Sequence, residues 1–137
     1  MKKIFLSMAV ATVLFSTSCK KDEDEAVTII GKWTLSEMGT DSNNNNKVDA
    51  GETAAASTVG LSGFLDFKSN NTFSASFSIG GMTETAAGTY TYANNSLTTV
   101  ESGDTEVMTI NSLTSNKLII KNAAEGSGSA TWEVYTK

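Results

Sequence analysis

Residues 61–79 read LSGFLDFKSNNTFSASFSI. Apolar side chains fall on alternate positions on both sides of Ser69-Asn70-Asn71: Leu61, Leu65 and Phe67 before it, and Phe73, Ala75, Phe77 and Ile79 after it. A period of two gives each run one apolar face, the signature of a half-buried strand, whereas a helix repeats its apolar positions every three or four residues. Asn between two such runs is turn chemistry, because it enters the left-handed backbone conformation more readily than other residues bearing a side chain. The stretch predicts a β-hairpin.

The same grammar extends both ways. Upstream, IIGKWTLSEM (29–38) carries Ile29, Trp33 and Leu35 on one face. Downstream come TETAAGTYTY (83–92), an Asn94-Asn95 turn into SLTTV (96–100), TEVMTIN (105–111), NKLIIKN (116–122) and SATWEVYT (129–136). The reading is all-β, with eight short antiparallel strands. Eight strands in a meander leave two open edges unless the last pairs with the first, so an up-and-down barrel is the economical arrangement, with an open sandwich of the same strands as the alternative. Proline, which interrupts ladders, is absent.

The N-terminus has a different character. Lys2 and Lys3 precede an apolar run, Ile4 to Phe15, that ends in small residues before Cys19. At twelve residues the run is shorter than the roughly 20 needed to span a bilayer, and it reads as an export signal. The segment resembles a bacterial lipobox, which implies that Cys19, the only cysteine, is lipidated and becomes the new N-terminus. LysLysAspGluAspGlu at 20–25 reads as a solvated tether and resembles the charged tethers of Bacteroidetes lipoproteins. The domains expected are therefore a signal peptide over 1–18, a lipidated Cys and tether over 19–27, and a barrel over 28–137. The expected location is the outer membrane, lipid-anchored, on the surface or the periplasmic side. Removing 1–18 leaves eight lysines against fifteen acidic side chains, a net charge of −7, with no Arg. Such a chain offers no phosphate-gripping groove, and nucleic acid is not an expected partner.

GKW at 31–33, LDFKSNNTF, GTYTY and MTINSLTSNKLIIK together resemble the lipocalin-like domains of Bacteroidetes lipoproteins. The resemblance implies an eight-stranded barrel with Trp33 plugging its narrow end. Typical lipocalins lay an Arg of the last strand over that Trp; this chain has none. Candidate ligand-binding residues of the interior are Trp33, Leu65, Phe67, Phe73, Phe77, Tyr90, Tyr92 and Trp132, with Met108, Ile110, Leu118 and Ile120 also inward and Ala75, Ala86 and Gly88 leaving room. A barrel of this size is either filled by its side chains or holds one small ligand. The function expected is binding of a small apolar or amphipathic molecule; the alternative is an envelope interaction or structural module whose filled barrel contacts a protein or glycan.

Catalysis has little to work with. There is no His, and a lone acylated Cys leaves neither a nucleophile pair nor a zinc site of the His and Cys type. Glu37, Asp66, Glu84 and Glu106, in or beside strands, read as solubilising carboxylates, and EGSGSAT (125–131) lacks the Gly-Lys-Ser/Thr ending of a phosphate loop and reads as a hairpin turn. No enzyme activity is expected.

The connection over 39–60 far exceeds the usual ~2–5 residues of a hairpin. Within it, DSNNNNKVDAGE (41–52) matches a calcium loop of EF-hand type. Asp41, Asn43 and Asn45 stand at its first, third and fifth places, Lys47 supplies a backbone carbonyl at the seventh, and Asp49 and Glu52 take the ninth and twelfth. Asn46 stands at the sixth place, where a tight turn is needed, and Val48 at the apolar eighth. The strand before the loop replaces an entering helix, TAAAS (53–57) reads as a short exit helix, and the three carboxylates predict a weak site, Kd ~10⁻⁴–10⁻³ M. A plain polar loop is the competing reading. By the resemblance, a calcium-ordered connection here would form a rim or lid over the barrel mouth.

Overall fold

The computed structural model describes residues 26–124, 126 and 128–137. The signal segment, Cys19 and the tether up to residue 25 lie outside the described residues, as do 125 and 127 of the final loop. Nine strands follow in order: β1 Gly31–Thr40, β2 Thr53–Ala55, β3 Leu61–Phe67, β4 Thr72–Ile79, β5 Met82–Ala93, β6 Ser96–Glu101, β7 Asp104–Leu113, β8 Lys117–Asn122 and β9 Thr131–Thr136. Apart from β2, these are the eight expected strands.

Each long strand pairs antiparallel with the next, and β1 pairs with β9 from Thr34↔Thr136 to Thr40↔Thr131, closing the sheet into a barrel. Closure leaves no long open edge. The hairpin of 61–79 forms in full register, from Leu61↔Ile79 to Phe67↔Phe73. Asn71 sits at φ 63°, and the Asn70 side chain accepts hydrogen bonds from the Thr72 backbone N–H (3.2 Å) and hydroxyl (2.7 Å). Three further reversals use two residues at positive φ: Gly80-Gly81, Asn94-Asn95 and Ser102-Gly103. Turns of that hand match the right-handed twist of the strands they join.

β2 was not legible in the sequence. β3 accompanies β1 only from Gly31 to Thr34, so the same edge of β1 is bare beyond it. Thr53–Ala55 pairs with Glu37–Gly39 and satisfies that edge. The helix expected at 53–57 is thereby reduced to a 3-10 turn, Ala56–Val59, ended by Gly60 at φ 70°. Gly39 permits the close return: a Cβ there would lie 1.8 Å from the Glu52 carbonyl oxygen.

The interior is closed at one end. Trp33, fully buried, donates its indole N–H to the Ile29 carbonyl at 2.7 Å. Phe67 meets Tyr90 edge-on at 4.9 Å, and the Tyr90 hydroxyl donates to the Lys68 carbonyl. Leu97, Ile110, Leu118 and Ile120 fill the space between. The cation over the plug is Lys137, whose ammonium lies 4.1 Å from the Trp33 ring and donates to the Ile30 carbonyl at 2.9 Å.

A second, smaller core lies on the outer wall: Ile119, Trp132 and Val134, with Val48 packed against them.

Candidate functional site: the open end of the barrel

Above the plug the barrel contains a cavity of about 250 Å³. Its apolar walls come from Leu65, Phe67, Phe73, Ala75 and Phe77 of β3 and β4, with Ala86, Leu97 and Met108 of β5 to β7. Alternation and register place them there: Leu65↔Ala75, Phe67↔Phe73, Ala75↔Ala86 and Leu97↔Met108 are all inward pairs. Space exists because Ala75 faces Ala86 and Gly88 faces Phe73. A Cβ on Gly88 would lie 2.0 Å from the Val100 carbonyl oxygen.

Toward the mouth the lining turns polar, through Thr99, Glu101, Asp104, Thr105 and Glu106 of the β6–β7 hairpin and Asn122 and Glu133 of β8 and β9. Tyr135, fully buried, donates its hydroxyl to Glu133 Oε2 at 2.6 Å, and Asn122 Nδ2 donates to Glu133 Oε1 at 3.0 Å. Burial, followed by the nearby carboxylates of Glu133 and Glu106, holds the Tyr135 phenol well above its ordinary value, so it remains a donor at neutral pH.

Of the expected interior residues, Leu65, Phe67, Phe73 and Phe77 line the cavity. Trp33 and Tyr90 belong to the packed floor below it, and Tyr92 is a partly buried neighbour of that floor. Trp132 is corrected: it faces outward. The pairing Lys121↔Trp132 and Ile119↔Val134 puts these side chains on the outer wall, while Glu133 and Tyr135 turn inward. Glu106 is exposed, as expected, and stands at the rim of the cavity.

The calcium-loop residues converge, but against the outer wall. Asp41 accepts the backbone N–H of Asn45 (3.1 Å) and Asn46 (3.2 Å). Asn43 and Asn45 donate their side-chain amides to Asp49 Oδ2, at 2.8 and 2.6 Å. Glu52 accepts from the N–H groups of Ser42 and Asp49 and from the Ser42 hydroxyl. Lys47 donates its N–H to Asn45 Oδ1. Asn44 and Asn46 stand at positive φ, the conformation that lets the chain curl inside this knot. Lys121 supplies a cation, its ammonium 2.8 Å from Asp41 Oδ2 and hydrogen-bonded to Asn46 Oδ1. Among the described residues, no group of three or more acidic, His or Cys side chains is placed to hold a metal ion.

The rim-or-lid expectation for this loop is likewise corrected. No residue of 41–52 lines the cavity; Val48 is spent on Trp132, Ile119 and Val134. The apolar outer face of β8 and β9 needs cover, and the loop provides it. Only Ala56, in the 3-10 turn, reaches the interior core.

A closed eight-stranded meander, plugged by a Trp of the first strand and hollow at the other end, is the architecture of a lipocalin-like barrel. The chain matches the lipocalin-like domain family over residues 29–120 and belongs to that family. Among solved structures, a lipocalin-like protein from Bacteroides uniformis ATCC 8492 superposes with a TM-score of 0.52 at 15% identity, covering 79% of this chain and 96% of its own. An uncharacterised protein from Bacteroides eggerthii DSM 20697 does so with a TM-score of 0.50 at 15% identity, covering 79% and 98%. At that identity the likeness concerns the fold. No curated protein matches the chain.

Proposed function

We propose that this protein is a lipid-anchored envelope binding protein that takes a small amphipathic molecule into its barrel. The observation that carries the reading is the cavity of about 250 Å³, apolar at its base and polar at its mouth. An apolar cavity of ~150 Å³ holds benzene, so this one accommodates a ligand of about ten non-hydrogen atoms. At roughly 0.5–0.8 kcal/mol per atom, such a ligand binds with a Kd of about 1–200 μM. A binding role agrees with the fold, which typically binds rather than catalyses.

Anchoring through Cys19 at the outer membrane belongs to the same proposal. Ile29 and Gly31 lie at the plugged end, so a tether joined there leaves the mouth at the far end, open to water. Cys19→Ser is expected to move the protein from the membrane fraction to the soluble fraction and to abolish incorporation of labelled fatty acid.

A displaceable apolar fluorescent probe tests the cavity. It should bind the protein and lose affinity at least tenfold in Ala86→Leu, which fills the cavity from its wall. Probe binding that is absent, or unaffected by filling, favours an envelope interaction module with a closed interior.

For the 41–52 loop, we propose calcium as an exchange ligand. The ion would take the place of Lys121 beside Asp41 and draw Asp49 and Glu52 away from their amide donors. That competition adds to the small number of carboxylates in keeping the site weak.

A further inference from the structure

We propose that the molecule held in the barrel is a neutral alcohol whose hydroxyl hydrogen-bonds to Thr99, partway down the cavity, while its apolar body lies against the walls around it. This rests on the reading of the cavity as a ligand site and names the head group that enters it.

The first observation is the burial of Thr99. Of the polar residues that line the cavity, Glu101, Asp104, Thr105 and Glu106 are exposed, and Asn122 and Glu133 are half-buried. Thr99 is only 8% exposed. Register places it between floor and rim, opposite Tyr90 on one side and Glu106 on the other, one inward position above the fully buried Leu97. Among the described residues its hydroxyl takes part in no side-chain hydrogen bond. Nor is it one of the polar atoms sealed without a partner, which are Asn122 Oδ1 and Trp132 Nε1. The part of Thr99 that remains open therefore faces the cavity.

The second is that the neighbouring polar groups are already committed. The Tyr135 hydroxyl donates to one oxygen of Glu133 and the Asn122 amide to the other. At this depth Thr99 is left as the free hydrogen-bonding group, neutral, with one donor and two acceptor lone pairs. A hydroxyl is its complement, because each can give and take a proton. A wholly apolar ligand would cover the Thr99 hydroxyl and leave it unpaired. An ammonium or carboxylate would have to shed its water beside a neutral partner, at greater cost.

The third is room for an apolar body. Ala75 and Ala86 pair across β4 and β5 and recess the wall. The rings on either side of Ala75 lean away from this recess: Phe73 lies toward Gly88, where a Cβ would come within 3.2 Å of it, and Phe77 lies over Gly63, where a Cβ would come within 2.3 Å. Both glycines give their space to a ring, and the alanine pair keeps the recess open. Half-buried Met108, opposite Leu97, adds a flexible side chain that fits itself to whatever body is bound.

Isothermal titration of the Cys19→Ser protein with octanol, octylammonium, octanoate and ethylbenzene at pH 7 separates the outcomes. Octanol should bind at least tenfold more tightly than either ion. Thr99→Val keeps the shape of the side chain and removes its hydroxyl; it should weaken octanol about fivefold, the usual net worth of one hydrogen bond, and leave ethylbenzene unchanged. Thr99→Ser, which keeps the hydroxyl, should bind octanol within about twofold of the parent. An octanol affinity that Thr99→Val leaves unchanged overturns the proposal and leaves the cavity reading standing. Should Thr99→Val not fold, the ranking on the parent protein decides, and an ion that matches or exceeds octanol overturns it. No binding of any probe overturns both.

Discussion

Trp33 does two things at once: its ring closes the narrow end and its indole N–H satisfies the Ile29 carbonyl. Trp33→Ala should therefore cost about 3–5 kcal/mol in denaturant unfolding, as large buried aromatics do. Lys137→Met should cost only about 0.5–1 kcal/mol, the scale of an exposed cation–π contact. The carboxylates of the outer-wall loop give a second prediction. Asp41, through its hydrogen bond from Lys121, Asp49, through the Asn43 and Asn45 amides, and Glu52, through the Asp49 N–H, all lie below their ordinary values of 3.8, 3.8 and 4.5. Groups with depressed folded-state values take up protons on unfolding at acid pH, so the stability they contribute is fully present above the ordinary carboxylate range. It is lost as pH falls through the folded values. The indole resonance of Trp132 should accordingly hold its position from pH 7 down to about 4.5 and move below about 4 as the loop releases. An unchanged resonance down to pH 2 would count against the loop as cover for Trp132.

At the scale of elements, the hairpins were legible and the wall they form was not fully so. Alternation plus Asn turns located all eight long strands, because period and turn chemistry are local properties. The face assignment of β9 failed for a long-range reason. TWEVYT has apolar residues at both parities, and the loop of 41–52 covers its outer face, so Trp132 and Val134 are buried outside while Tyr135 is buried inside. The signal was present: Leu118, Ile119 and Ile120 are three consecutive buried residues in β8, the mark of a strand covered on both faces. The polar side chains of the 41–52 loop bond to one another, an arrangement that both the calcium-loop and the plain-polar-loop readings allow. Its cation could not be seen, since Lys121 is eighty residues from Asp41 and reaches it only through the β8–β9–β1 pairing. Calorimetric titration should give weak calcium binding to the parent, and several-fold tighter binding to Lys121→Met, which frees Asp41; Asp41→Ala with Glu52→Ala should abolish it. Calcium binding unaffected by either change would place the ion elsewhere.

For the whole molecule, the pairing of β1 with β9 turns a list of strands into a vessel. Closure gathers residues from β3 to β9 around one space, and it brings Glu133, and Glu106, which looks solubilising along the chain, near a buried tyrosine. That acidic mouth was not legible, because which carboxylates meet depends on register across strands far apart in sequence. The central claim is that the space is used. An NMR titration with octanol tests it most directly. The account predicts saturable shifts confined to cavity residues such as Leu65, Phe77, Ala86, Met108 and Tyr135, with the outer-wall resonances of Ile119 and Trp132 unmoved. Shifts scattered over the outer wall, or none at saturating concentration, would contradict it.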